Sequence, residues 1–159
     1  MISRIALFVS GAVVLAASAG AQDPVKWTAA KVAPVAQGAV ASVKLSAAIE
    51  SGWHIYSLTQ GPGGPMPTKI ATLKDEPYTI DGKIKADDPN VKFDENFGIN
   101  VETYEGGADF TVPLKVDKTV KKGAQTATIT TRYQVCNASM CLPAKTEKIA
   151  VPLTVKAGK

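Results

Sequence analysis

The sequence predicts an all-β fold, a two-sheet sandwich of about seven to nine short strands. Three observations carry that expectation. Apolar and polar residues alternate in several runs, the period of half-buried strands. Turn-forming clusters separate those runs at short intervals. Helix signals are weak in a chain with 13 glycines and 10 prolines among 159 residues.

From the N-terminus, residues 1–21 read as an export signal rather than as part of the fold. Arg4 gives a positive start, Ile5 to Val14 is mostly apolar, and Ala17-Ser18-Ala19-Gly20-Ala21 holds two overlapping A-x-A patterns. Cleavage after Ala21, or as the weaker alternative after Ala19, leaves an exported chain that begins near Gln22. An uncleaved anchor is the poorer reading. The run is interrupted by Ser10 and Gly11 and falls short of the roughly 20 apolar residues a span needs. No cysteine lies near the cleavage site to carry a lipid, and no later segment is apolar enough to cross a bilayer. Residues 22–159 then make one domain, with its core over about 40–156. Residues 22 to about 35 are expected to begin as a mobile arm.

Within the domain, Val43, Leu45, Ala47 and Ile49 are apolar at odd positions, and Phe110, Val112, Leu114 and Val116 at even ones. Thr128 to Val135 is rich in β-branched residues, and Lys148 to Val155 alternates cleanly. Pro113 and Pro152 fall on the polar parity, which suits edge strands or positions that need no N–H. Asp81-Gly82 predicts a tight hairpin joining Tyr78-Thr79-Ile80 to Lys83-Ile84-Lys85. The run from Gly61 to Pro67 is a loop without regular structure, and Asp87-Asp88-Pro89-Asn90 is a turn.

The charge pattern excludes one class of partner. Lys and Arg number 18 against 14 Asp and Glu, but the lysines are spread out and only Arg4 and Arg132 are arginines. That is a solvated surface, and no nucleic-acid partner is expected. Conventional enzyme chemistry is also poorly served. The chain has one histidine, no serine-hydrolase elbow, no glycine-rich phosphate loop after a strand and no paired metal motif.

What stands out is Cys136-Asn137-Ala138-Ser139-Met140-Cys141, the only two cysteines of an exported chain. Such cysteines normally oxidise to a disulfide. Strand-like patterns flank the pair, so it brackets a hairpin tip. A loop this short gains little stability from closure. A small ring near the surface is better suited to opening and closing, with one thiolate attacking and the other resolving. Spacing alone leaves a passive staple and a redox pair both open. As a staple, the disulfide belongs to a non-catalytic binding module of the envelope. A third reading is a Cu(I) site built from Cys136, Cys141, Met140 and either His54 or Met66. Two sulfurs cannot close a zinc site, and outside the Cu(I) reading no resident metal or other cofactor is expected.

Further motifs run in a fixed order. Gly52-Trp53-His54-Ile55-Tyr56 leads into the loop ending Pro65-Met66-Pro67-Thr68. Phe93-Asp94-Glu95-Asn96-Phe97-Gly98 follows, then Tyr104-Glu105-Gly106, then Tyr133-Gln134-Val135-Cys136-Asn137 and Cys141-Leu142-Pro143. With these the chain resembles the N-terminal periplasmic domain of the thiol:disulfide interchange protein DsbD, over roughly Val40 to Val155. The cysteine segment is the most specific part.

The resemblance implies an immunoglobulin-like sandwich that takes electrons from a partner thiol and passes them to oxidised periplasmic proteins. It makes Cys141 the sulfur that forms mixed disulfides and Cys136 the one that resolves them. It places a short loop, Asp94 to Gly98, over the pair, with Phe97 as its cap. Asn96 stands where the commoner pattern has a second aromatic. Asp94 and Glu95 are expected to disfavour thiolate formation nearby, because like charge raises a thiol's pKa. His54 and Tyr56 are placed beside the cysteines. The sequence holds neither a membrane domain nor a thioredoxin-like one. Either a separate membrane or thioredoxin-like protein is the expected reductant, with the activity that of a protein-disulfide reductase component, or the chain has left that pathway.

Overall fold

The computed structural model describes residues 23–95 and 97–158. The expected export signal lies outside them. The described residues hold thirteen strands and no helix. Accordingly, no helix among them is long and apolar enough to cross a membrane.

One face of the sandwich is a sheet of β1 (Val25–Ala29), β3 (Val40–Ile49), β10 (Gly107–Val116) and β6 (Tyr78–Ile80) in that order, with β7 (Lys85–Ala86) also on β10. The other is β2 (Val35–Ala36), β13 (Lys145–Lys156), β11 (Gly123–Tyr133) and β5 (Lys69–Thr72). A third, smaller sheet runs β12 (Val135–Cys136), β4 (His54–Tyr56), β9 (Ile99–Glu105) and β8 (Asn90–Asp94). The excess over nine strands comes from short pieces of two to four residues. Seven strands are five residues or longer.

The alternation in the sequence is the alternation of the core. Val43 and Leu45 on β3, Phe110, Val112 and Leu114 on β10, Ile129 on β11 and Val151 on β13 are all fully buried. Trp27 ties the two large sheets together, with ring centroids 5.4 Å from Phe110 and 5.6 Å from Tyr133. Tyr104 meets Phe110 edge-on at 5.7 Å and anchors the small sheet to the same core.

Two expectations give way. The N-terminal segment is not a mobile arm through residue 35. Val25–Ala29 pairs with β3 over five residues, and Val25, Val32 and Val35 are buried in the core. Lys145 secures this strand's approach, pairing with both Asp23 and Glu147. Nor does Asp81-Gly82 close a hairpin. β6 and β7 do not pair with each other; both pair with β10, at Leu114–Val116 and at Phe110–Thr111. Pro113 lies between those stretches and lacks an N–H to give, although its carbonyl accepts from Asp81 N at 2.9 Å. The edge strand therefore breaks opposite the proline, and the turn chemistry serves a jog along one edge.

A third difference positions the site. The β-branched run was expected to continue through Val135. Instead β11 ends at Tyr133, whose buried ring belongs to the main core and whose hydroxyl bonds Glu147 Oε1 at 2.5 Å. After Gln134 the chain changes sheets, and Val135–Cys136 pairs with β4.

Candidate redox site on the small sheet

In an antiparallel ladder, directly opposed residues project from the same face, about 4.5–5.5 Å apart at Cβ. That rule assembles the site. Glu105 on β9 faces His54 on β4, His54 faces Cys136 on β12, and Cys136 faces Cys141 through a single bridge. Four side chains thus form one lateral row. Two residues further along β4, Tyr56 lies opposite Thr103, and on the neighbouring pair Lys92 lies opposite Val101 and Asp94 opposite Ile99. All share that face, and all but Ile99 line one open groove.

Cys136 and Cys141 are joined in a disulfide, with S–S 2.00 Å and Cα atoms 4.0 Å apart. The intervening tip is built by Asn137. Its N–H donates to Met140 O at 2.9 Å, and its side-chain Oδ1 accepts from Ser139 N and Met140 N, each at 2.9 Å. This is the Asx geometry that lets a four-residue tip turn without glycine. Leu142 N returns to Val135 O at 2.9 Å and closes the ladder behind the sulfurs. Asn137→Ala removes two of these acceptor contacts. It is expected to lower stability by about 1 kcal/mol and to accelerate amide exchange at Ser139 and Met140, read by hydrogen-exchange mass spectrometry.

The two sulfurs are not equivalent. Cys136 is 1% exposed and packs with Tyr56, Val101 and Ile99 in a small cluster separate from the main core. Cys141 is exposed. His54 Nε2 lies 3.1 Å from Tyr56 Oη, and the rings meet edge-on at 5.2 Å. Burial pushes the His54 pKa below the ordinary histidine value, while the Glu105 and Asp94 carboxylates act in the opposite sense. Burial, then Asp94, raises the Tyr56 phenol above its usual value.

The Asp94–Gly98 segment links β8 to β9. Phe97 N donates to Asp94 Oδ1 at 3.2 Å and Gly98 N to Asp94 O at 2.8 Å. Gly98 has φ +66°, a conformation that L side chains rarely adopt, so glycine completes the turn. Phe97 lines the groove with the sulfurs while remaining 43% exposed. Phe97, Asp94, His54, Tyr56, Cys136 and Cys141 are therefore brought together. Glu95 is exposed and does not line the groove. Of the Cu(I) candidates, Met140 and His54 line it and Met66 does not. Among the described residues no group of three or more His, Cys, Asp and Glu is placed to hold a metal ion.

Lys92, Val101, Thr103 and Glu105 belong to the groove and were missed by sequence reasoning. No local motif marks Lys92, Val101 or Thr103, and the Tyr104-Glu105-Gly106 motif gives no sign that Glu105 reaches the cysteines. Their membership follows from the order β12-β4-β9-β8, a long-range pairing. Arg132 and Lys145, the basic residues near the cysteines in sequence, do not line the groove. Lys145 is held by Asp23 and Glu147.

Residues 21–153 match the family described as thiol:disulfide interchange protein DsbD, N-terminal. The crystal structure of the Neisseria meningitidis DsbD N-terminal domain in the reduced form overlays with a TM-score of 0.51 at 18% identity, covering 71% of this chain and 78% of that one. That overlay supports the immunoglobulin-like β fold. The Salmonella SafD adhesin overlays with a TM-score of 0.39 at 16% identity, covering 85% of this chain and 100% of that one, and is too distant to inform the site. No curated protein matches in sequence. The family match and the Cys136–Cys141 disulfide together support a role in thiol–disulfide interchange. The match spans most of the chain, the cysteine segment included, and the chain belongs to the family of DsbD N-terminal domains.

Proposed function

We propose that the chain is a periplasmic electron carrier that passes reducing equivalents to oxidised envelope proteins through Cys136 and Cys141. Its reductant is a membrane or thioredoxin-like redox partner, and residues 1–21 direct its export. The observation that carries this reading is the asymmetry of the pair: one sulfur open to a partner, the other buried beneath it. A partner thiolate attacks Cys141 Sγ, the Cys136–Cys141 bond breaks, and Cys136 Sγ leaves with the electron pair and takes up a proton. The partner's second thiol then releases Cys141 reduced and becomes part of the partner's own disulfide. Delivery runs the same steps backwards on a client: Cys141 attacks the client disulfide, and Cys136 resolves it.

The test is the reduction potential, measured by equilibration with glutathione or dithiothreitol. An exchanger is expected to lie above about −300 mV, whereas inert structural bridges lie below it. A value well below that limit would reject the carrier reading and leave the staple of a binding module.

Phe97 acts as a lid on the groove in this reading, shielding the disulfide from small thiols until a partner displaces it. Phe97→Ala is expected to speed reduction by dithiothreitol by about tenfold, roughly the 1.4 kcal/mol that a partly exposed aromatic contact supplies. The fold should stay intact, because the side chain is outside both core clusters. An unchanged rate would show that Phe97 does not guard the bond.

A further inference from the structure

We propose that His54 is the proton donor and acceptor for Cys136 during exchange. This rests on the carrier reading above and assigns one residue a task within it. Cys136 must leave as a thiolate in one direction and attack as a thiolate in the other. It does so at a sulfur that is 1% exposed and packed against Tyr56 and Val101. A desolvated anion there is costly unless a proton or a hydrogen bond meets it as it forms.

Three side chains of the groove face carry a proton they could give. Lys92 is on β8, three strand steps from β12, or about 14 Å at the usual spacing. Tyr56 is held as a neutral phenol by burial and by Asp94, which makes it a weak acid. His54 is directly opposite Cys136 on the adjacent strand, and it is the one histidine of the chain. The groups around it suit the task. Glu105 faces it from β9 and Asp94 approaches from the end of β8; both favour the imidazolium. Burial favours the neutral ring, and Tyr56 Oη holds Nε2 at 3.1 Å. Burial outweighs the two carboxylates and lowers the His54 pKa, and the histidine stands in a row running Glu105, His54, Cys136, Cys141.

The step balances without a further reactant. The attacking thiolate and the Cys136–Cys141 bond, together with the His54 imidazolium, yield a mixed disulfide at Cys141, a neutral Cys136 thiol and neutral His54. In the reverse direction neutral His54 takes the proton from Cys136 as that sulfur attacks the mixed disulfide.

The experiment follows the reduction of the full chain by dithiothreitol from about pH 4.5 to 8, with each rate divided by the fraction of reductant present as thiolate. In the wild type this corrected rate is expected to be high in acid. It should fall as pH rises through a midpoint below 6.5, where burial places His54. The same midpoint should appear when the ring resonances are titrated by NMR. His54→Gln should flatten the profile and lower the corrected rate near pH 5 by about 100-fold, the lower end of what general acid catalysis supplies. Tyr56→Phe keeps the imidazole and should retain the fall while moving its midpoint. A flat wild-type profile, or a kinetic midpoint that differs from the NMR one, overturns the role of His54. Neither outcome needs a variant to fold. If the reduction potential lies well below about −300 mV, the carrier function itself fails, and that outcome is distinct from a flat profile.

Discussion

A Cys136→Ser variant is expected to accumulate mixed disulfides through Cys141, and a Cys141→Ser variant none. Cys141 is the exposed sulfur, and its removal leaves Cys136 buried beneath the tip. In that variant the Cys141 thiolate attacks the disulfide of an oxidised partner, one partner sulfur leaves as a thiolate, and without Cys136 nothing on the carrier resolves the adduct. The measurement is a non-reducing gel of periplasmic extracts, with mass spectrometry of species that dithiothreitol collapses. Since exchange depends on both thiols, turnover should be lost completely in either variant. Stability should change little, because the disulfide closes a ring of only a few residues and such short loops give the least entropic gain. Adducts at Cys136 in the Cys141→Ser protein would reverse the assignment of roles. Loss of fold in both variants, with no adducts in either, would favour the staple.

The second large effect is on stability. Phe110→Ala should cost about 3–5 kcal/mol in urea unfolding. Phe110 is fully buried on β10, pairs with Leu45 on β3, and has ring contacts to Trp27 at 5.4 Å and Tyr104 at 5.7 Å. Its removal opens a cavity where the two large sheets meet and where the small sheet is anchored. The damage should therefore reach the site, with faster amide exchange along β9 as well as β10. A loss under about 1 kcal/mol would mean that the core collapses around the gap.

Much of the fold is legible in the chain because burial on one side of a sheet imposes a period of two. Val43 to Ile49 and Phe110 to Val116 declare their buried parity without any knowledge of their partners. Turn chemistry is less informative. Asp81-Gly82 has the composition of a hairpin, but a proline on the neighbouring strand decides that its flanks follow one edge instead. The mobile-arm expectation fails for a related reason. Val25-Lys26-Trp27-Thr28-Ala29 is a short segment whose value as a strand lies in β3 and in the rings of Phe110 and Tyr133, which are remote in sequence.

The site shows the same division. The sequence by itself determined the Cys136/Cys141 pair and its four-residue tip, because covalent spacing is a property of a short segment, while the hydrogen bonds by which Asn137 shapes that tip came from the structure. The sequence also marked Phe97 and His54 through a resemblance. Only the tertiary structure decided that Cys136 is buried and Cys141 exposed, that Lys92 and Glu105 join the groove, and that His54 stands between a carboxylate and a sulfur. The physical reason is strand pairing. A β-strand meets its functional neighbours sideways, across hydrogen bonds to segments dozens of residues away, and no local pattern encodes which strand that will be.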